Sequence, residues 1–143
     1  MKNDGISIII TAYDSADYIE ECLNSIYAQT WFKKSENWEV LIGIDHCEKT
    51  LNKMQDIMYK YPNLRIFYMN ENVGTYIVSN TLISKVKYNK ILRFDSDDIM
   101  KENMVELMIE AMETVNKSKI ILCYFETFPK KENKTTKNWA HLR

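Results

Sequence analysis

The residues of this chain best suited to metal chemistry are the aspartates of the run Arg93-Phe94-Asp95-Ser96-Asp97-Asp98. If the extended backbone continues past Phe94, Asp95 and Asp97 point the same way, because side chains in a strand alternate with a period of two. Two such carboxylates suit Mg²⁺ or Mn²⁺, which takes its remaining ligands from water and a substrate diphosphate. The cation would neutralise charge that develops on a departing phosphate. Alternatively, the acids only turn the chain into the next helix near Lys101, with Asp98 placed as its cap.

A further acid, Asp45, follows another apolar run and could bind a nucleobase. Its carboxylate can accept a hydrogen bond from a base N–H, while Tyr13 from a neighbouring loop offers an aromatic face to the same ring. The alternative is that Asp45 only ends a strand and starts a turn. His46 and Cys47 come next, but the only other histidine is His141, so zinc or thiol chemistry is not predicted.

These residues follow short apolar runs that alternate with helical patterns. The runs are rich in Ile, Leu, Val and aromatic residues and mostly lack alternation, which is typical of strands buried on both faces of a parallel sheet. Five strands are predicted, at Ile6–Ile10, Glu39–Ile44, Leu64–Met69, Lys90–Phe94 and Lys119–Phe125. Four helices are predicted between them, over Ala16–Gln29 with Asp14 or Ser15 as its cap, Leu51–Tyr61, Tyr76–Lys85 and Asn103–Asn116.

The strands begin 25 to 33 residues apart, which is close to the length of a β-α-β step. This order predicts an α/β fold with an open, mostly parallel twisted sheet and helices on both faces. Ligands of such a sheet bind beyond the carboxyl ends of the strands, where Tyr13, Asp45 and the run of aspartates all follow. The sequence contains neither a G-x-G-x-x-G turn nor a P-loop, so an ordinary dinucleotide or Walker site is not predicted.

Composition and charge exclude several other classes of protein. The chain has 143 residues, of which 45% are hydrophobic and 27% charged, as expected for one folded domain. A net charge of -1 gives no basic field, so nucleic acid is not an expected partner. No apolar stretch is long enough for a membrane span or a signal-peptide core. Three cysteines without a C-x-x-C pair favour a reducing compartment, which predicts a cytoplasmic protein.

Several segments together resemble the family 2 glycosyltransferases of GT-A fold. The segments Ile6–Tyr13, Tyr18–Ile26 and Ala28–Thr30 are similar to the opening of that family, and Asp45 lies where the family has the acidic end of its second strand. Asn72-Val73-Gly74 followed by Asn80 resembles its Asn-x-Gly…Asn segment, and Phe94–Asp98 resembles its D-x-D block. The resemblance covers about residues 6–112, in family order.

The resemblance implies a Rossmann-like GT-A fold that is short at its C-terminal end. Residues 1–128 would form a nucleotide-sugar-binding domain, and residues 129–143 a mobile basic tail or the start of a missing acceptor-binding portion. The implied function is transfer of a sugar, with inversion, from a UDP- or GDP-linked donor to a saccharide or glycoconjugate acceptor.

The resemblance also implies a role for each matched residue. Tyr13 would pack on the base and Asp45 would bond it. Asp95 would lie near the ribose, and Asp97, with Asp95 as a second candidate ligand, would hold the divalent cation, Mn²⁺ or Mg²⁺. The implied donor-binding residues are Thr11, Tyr13, Asp45, Asn72, Gly74, Asn80, Asp95, Ser96 and Asp97.

The chain departs from the family pattern in three places. His46 and Cys47 stand where many relatives have a second acid and a small residue. Ser79 stands where an Arg commonly precedes the Asn, which removes a contact to the charged part of the donor. Only 45 residues follow Asp98, whereas the acceptor-binding half and the catalytic base of the family lie further downstream, so the base is expected outside this chain.

Two other functions remain open from the sequence. One is a non-catalytic nucleotide-binding or interaction module that has lost the acceptor half. The other is a phosphatase, because Asp95–Ile99 also resembles the D-x-D motif of haloacid dehalogenases, although their nucleophile normally follows the first strand. The aromatic cluster Trp31, Phe32 and Trp38 is predicted to cover the sheet edge; the alternative is contact with a partner, such as a second copy of the chain.

Overall fold

The structure, a computed structural model, describes residues 2–114, in which strands and helices alternate. Two short 3-10 turns, Thr30–Lys33 and Met58–Lys60, follow the first and second helices. The predicted fifth strand, Lys119–Phe125, and the predicted tail lie outside the described residues. The elements in chain order are β1 Asn3–Ala12, α1 Ile19–Tyr27, β2 Trp38–Ile44, α2 Glu48–Ile57, β3 Leu64–Tyr68, α3 Thr75–Lys85, β4 Tyr88–Asp95 and α4 Met104–Thr114.

The four described strands form one parallel sheet in the order β3-β2-β1-β4. The register places Thr11 of β1 opposite Gly43 of β2 and Asp95 of β4, so these three strands end at nearly the same level. This arrangement confirms the predicted open, parallel α/β sheet. Its consequence is that the loops after β1, β2 and β4 meet at one edge.

Helices pack on both faces of the sheet, as predicted. On one face Ile8 and Ile10 of β1 are fully buried beneath α1, α2 and α4. On the other face Ile9 of β1 and Leu41 of β2 pack beneath α3, through Val78 and Leu82. Full burial of each of these side chains contributes about 1.5–3 kcal/mol, so the unbroken run of isoleucines in β1 stabilises both layers.

Gly43 allows α3 to lie close to the sheet. A Cβ built on Gly43 would lie 2.3 Å from Cγ1 of Val78 and 3.3 Å from the side chain of Leu82. Real Cβ atoms do not approach other carbons so closely, so a larger residue here would push α3 away. The close packing brings Thr75, the first residue of α3, to the carboxyl ends of the strands.

Three predictions about helix starts and strand burial are wrong. Neither Asp14 nor Ser15 caps α1 with its side chain, because the backbone first makes a turn: Asp14 has a left-handed φ of 47°, and the Ser15 carbonyl accepts N–H bonds from Tyr18 and Ile19. Asp98 does not cap α4, which begins only at Met104. The β3 strand is half-buried along its length and β4 alternates between buried and accessible residues, because each has a single neighbouring strand among the described residues.

The aromatic cluster packs against the larger core. Phe32 stacks on Trp38 with ring centroids 4.0 Å apart, and Tyr27 meets Trp38 edge-on at 5.5 Å. Trp31, Phe32 and Trp38 all contact the larger core cluster, so the structure places them as cover for it. Contact with a second copy of the chain remains a prediction.

Within residues 2–114, no helix has the length and apolar character needed to cross a membrane.

Candidate functional site

An open pocket with a cavity volume of about 260 Å³ lies at the carboxyl ends of β1, β2 and β4. Six of the nine predicted donor-binding residues line it, because the parallel register brings the three strand ends to one level. The lining residues are Thr11, Ala12, Tyr13, Asp14, Ser15, Tyr18, Asp45, Thr75, Asp95, Ser96 and Asp97.

The acidic part of the pocket is a turn rather than a continued strand. The β4 strand ends at Asp95, and the chain turns at Ser96 and Asp97, where the N–H of Asp98 donates to the Asp95 carbonyl at 3.3 Å. The expectation that extended geometry would align Asp95 with Asp97 is therefore wrong, although both line the pocket. Ser96 is 7% exposed, and its hydroxyl lies 2.7 Å from the hydroxyl of Ser15.

Negative charge accumulates at this turn. Asp95 accepts a 2.7 Å hydrogen bond from Nη2 of Arg93, whereas Asp97 makes no ion pair with any residue in the range 2–114. Burial, together with the charges of Asp97 and Asp95, raises the pKa of Asp98 above its ordinary value. Burial and the same three acids raise the pKa of the Cys22 thiol to about 12, so it remains protonated at neutral pH. The site favours a positive ligand.

The donor set at this turn fits a divalent cation that shares its coordination with a substrate. Asp95 and Asp97 offer carboxylate oxygens, the ligands that Mg²⁺ and Mn²⁺ prefer. Within the described part of the chain, no group of three His, Cys, Asp or Glu side chains is arranged to hold a metal ion alone. The remaining ligands would therefore come from water and from the phosphate oxygens of a bound substrate.

Asp45 holds the loop that follows β3. Its carboxylate is 5% exposed; Oδ1 accepts a hydrogen bond from the N–H of Val73 and Oδ2 one from the N–H of Gly74, both at 2.8 Å. Gly74 has a left-handed φ of 85° and immediately precedes α3. The sequence did not predict this anchoring role. Each carboxylate oxygen retains a further lone pair for a ligand, and Asp45 lines the pocket.

The loop after β1 presents aromatic rings from a fixed backbone. The N–H of Ser15 donates to the hydroxyl of Thr50 at 3.0 Å, and the Ser15 hydroxyl lies 3.0 Å from the Tyr13 carbonyl. The Tyr13 side chain is 61% exposed and that of Tyr18 is 49% exposed, and both line the pocket. The predicted helix Ala16–Gln29 includes Tyr18, which is wrong because α1 starts one residue later, at Ile19.

Thr75 is a lining residue that sequence reasoning missed. Its hydroxyl lies 2.9 Å from the hydroxyl of Thr11 and accepts a long hydrogen bond from Arg93 at 3.4 Å. The signal that could have indicated it is its position directly after Gly74, at the start of a helix whose first N–H groups are unpaired.

Three predicted donor-binding residues do not line the pocket: Asn72, Gly74 and Asn80. Asn72 and Asn80 are exposed, and Gly74 acts through its backbone bond to Asp45.

His46 and Cys47 make separate contacts. His46 has a φ of 52°, and its Nδ1 lies 3.3 Å from the Met69 carbonyl. The Cys47 sulfur accepts a hydrogen bond from the Thr50 hydroxyl at 3.3 Å. The Thr50 hydrogen bond lowers the pKa of Cys47 from its ordinary value.

Comparison with known proteins identifies the family. Residues 7–142 match the sequence profile described as Glycosyl transferase family 2. The chain belongs to glycosyltransferase family 2. The curated relatives that it matches carry glycosyltransferase names, which favours the glycosyltransferase interpretation of the D-x-D run over the phosphatase one.

Curated relatives are similar over most of this chain. A putative teichuronic acid biosynthesis glycosyltransferase, TuaG of Bacillus subtilis, is 27% identical over 111 residues, which cover 75% of this chain and 41% of the relative. Glycosyltransferase GlyG of Streptococcus pneumoniae is 27% identical over 121 residues, covering 84% and 39%. The chain therefore spans about two fifths of the length of these relatives.

Solved structures show that the fold is that of GT-A glycosyltransferases. S. aureus TarS, residues 1–349 in complex with UDP, superposes with a TM-score of 0.67 at 23% identity, covering 82% of this chain and 38% of that one. The mannosyltransferase PcManGT from Pyrobaculum calidifontis, in complex with GDP-Man and Mn²⁺, gives a TM-score of 0.61 at 21% identity, covering 68% and 28%.

Proposed function

We propose that the pocket binds the nucleoside diphosphate of a UDP- or GDP-linked sugar together with a divalent cation. The chain would be the donor-binding part of an inverting glycosyltransferase that acts on a saccharide or glycoconjugate. The observation that carries this proposal is the meeting of Tyr13, Asp45 and the Asp95/Asp97 turn in one pocket. The bound UDP of TarS and the GDP-Man and Mn²⁺ of PcManGT support it.

The base end of the donor belongs beside β1 and β2. The exposed ring of Tyr13 offers a stacking surface, and stacking of a base on an aromatic side chain contributes about 1–3 kcal/mol. Asp45 would accept a base N–H through a lone pair left free by Val73 and Gly74. The second tyrosine of the pocket, Tyr18, would close it from the start of α1.

The diphosphate end belongs beside the acidic turn. Asp97, which is exposed and lacks an ion pair within residues 2–114, would hold the cation, and Asp95 would face the ribose as an acceptor or a second ligand. The bound cation would neutralise charge on the leaving nucleoside diphosphate. Asp45, Asp95 and Asp97 are thus assigned to the donor, and the base that deprotonates the acceptor hydroxyl is expected elsewhere in the enzyme.

A cytoplasmic location is part of the proposal. Its support is that Cys22 and Cys47 form no disulfide within residues 2–114 and that the sequence has no C-x-x-C pair, since cysteines of oxidising compartments are usually paired.

Calorimetric titration tests the proposal directly. UDP and GDP are each titrated into the protein with Mn²⁺, with Mg²⁺ and without metal, in wild type and in Asp97→Asn. We expect binding of one nucleotide that requires the metal, and loss of this metal requirement or of binding altogether in Asp97→Asn. Asp56→Asn, an exposed aspartate on α2 outside the pocket lining, is the matched control and should behave like wild type. Absence of nucleotide binding in every metal would remove the proposal.

A further inference from the structure

Arg93 is a basic residue adjacent to the pocket that no role described so far requires. It lies on β4, opposite Ile9 of β1, on the same face of the sheet as Thr11 and Asp95. That face carries α3, whose first residue is Thr75. The guanidinium therefore lies beside Asp95, between the end of β4 and the start of α3.

The contacts of Arg93 connect three elements of the pocket wall. Its Nη2 donates to Oδ1 of Asp95 at 2.7 Å and, more weakly, to the hydroxyl of Thr75 at 3.4 Å. The Thr75 hydroxyl is in turn 2.9 Å from the hydroxyl of Thr11. One planar cation thus fixes Asp95 relative to the end of β1 and the start of α3, and a planar guanidinium does so with more directional control than an ammonium group.

The pairing makes Asp95 and Asp97 unequal. Asp95 has a positive partner at 2.7 Å, whereas Asp97 has none within residues 2–114. By Coulomb's law, an incoming cation is repelled by the guanidinium beside Asp95 and attracted by Asp97, which has no cationic partner in the part of the chain that the structure describes. The turn is therefore asymmetric before any ligand arrives.

We infer that Arg93 is a positioning residue of the donor pocket, which holds Asp95 for the nucleotide and leaves Asp97 to take the cation. The inference rests on the proposed function and deepens it. Arg93 acts through Asp95 rather than by touching the reacting atoms.

If Arg93 served only to stabilise the fold, its removal would lower the unfolding temperature. The side chains of Arg93 and Asp95 are 45% and 48% exposed, and ion pairs at such positions contribute little to stability. Arg93→Met should therefore unfold at nearly the wild-type temperature. Lys90→Met is the matched control, since Lys90 lies on the same strand and forms an ion pair with Asp4, at 2.5 Å, towards the other end of the sheet.

Two titrations on the full chain distinguish a positioning role of Arg93 from a structural one. The first uses Mn²⁺ alone, and the second uses the better-binding nucleotide, UDP or GDP, at saturating Mn²⁺. We expect Arg93→Met to weaken nucleotide binding by about three- to tenfold, as for loss of a partly exposed charged hydrogen bond. Mn²⁺ alone should bind as tightly as to wild type or tighter, because a positive charge has been removed. Arg93→Lys should restore part of the nucleotide affinity, and Lys90→Met should match wild type.

A double-mutant cycle with Asp95→Asn tests whether Arg93 acts through Asp95. We expect the double variant to bind nucleotide no more weakly than Asp95→Asn alone. Additive losses, unchanged nucleotide binding in Arg93→Met, or a parallel loss of Mn²⁺ affinity would each overturn the inference while leaving the proposed function intact. Wild-type protein that shows no metal-dependent nucleotide binding would instead refute the proposed function, and the inference with it.

Discussion

The anchoring of the loop after β3 by Asp45 can be tested with the isosteric change Asp45→Asn. The wild-type carboxylate accepts two backbone N–H bonds, from Val73 and Gly74, each 2.8 Å long and shielded from water. Asparagine keeps one acceptor oxygen but turns the other position into an NH₂ donor. One backbone N–H then faces a donor, and the remaining bond loses the assistance of the charge.

The expected cost follows from these two bonds. A hydrogen bond to a charged group contributes about 1.5–3 kcal/mol, and a buried donor without a partner costs a similar amount. Losing one bond and weakening the other should therefore destabilise the fold by about 2–4 kcal/mol. For a domain of this size that corresponds to a fall in Tm of roughly 6–12 °C.

Thermal unfolding followed by circular dichroism measures the loss, and amide hydrogen exchange locates it. We expect faster exchange at Val73 and Gly74 in Asp45→Asn, with little change in the strands, and nucleotide binding weaker than in wild type. Asp56→Asn removes an exposed carboxylate and should shift Tm by less than about 2 °C. A Tm of Asp45→Asn within the same margin, or unchanged exchange at the two amides, would refute the anchoring role.

Two further changes test the packing and the surface charge. Gly43→Ala places a methyl group 2.3 Å from Val78 and should cost about 1–3 kcal/mol by displacing α3, which chemical denaturation would measure; an unchanged midpoint would show that the helix is free to move. Hydrogen bonds from Lys53 and Lys60 lower the pKa of Glu20 to about 2. A lowered carboxyl pKa stabilises the folded protein at any pH above the ordinary pKa of 4.5, and this stabilisation is lost as the pH falls towards 2. Wild type should therefore have a higher Tm than Glu20→Gln at neutral pH, and the difference should vanish towards pH 2. A Tm difference that does not vary with pH would contradict this.

The fold was predictable because its signals are local. The apolar run Ile6–Ile10 has no alternation, and the structure buries it from both faces as the central part of β1. The spacing of the later runs gave the β-α-β order, and that order brings Asp45 and the acidic turn to one edge of the sheet. Burial and periodicity are properties of neighbouring residues, so a single sequence contains them.

The parts of the site that escaped prediction depend on pairs distant in the chain. The turn before α1 removes Ser15 from the cap position, and the Ser15 hydroxyl lies instead against that of Ser96, 81 residues away. Asp45 accepts from amides 28 and 29 residues downstream. Such partners are set by how the loops meet after folding, and residue type alone indicates only that a polar side chain needs a partner. The predicted first helix also included Tyr18, which the structure places in the turn before α1.

The central claim is that a cation and a nucleoside diphosphate share the pocket at the ends of β1, β2 and β4. Paramagnetic broadening of backbone amide signals by substoichiometric Mn²⁺, in the presence of UDP or GDP, measures this most directly, because the effect falls steeply with distance from the ion. We predict that amides of Tyr13 and of the turn at Ser96–Asp98 broaden first, and that Asp97→Asn abolishes the effect. Broadening centred near Glu39, at the amino end of β2 and opposite the pocket, or spread evenly over exposed acids, would contradict the account.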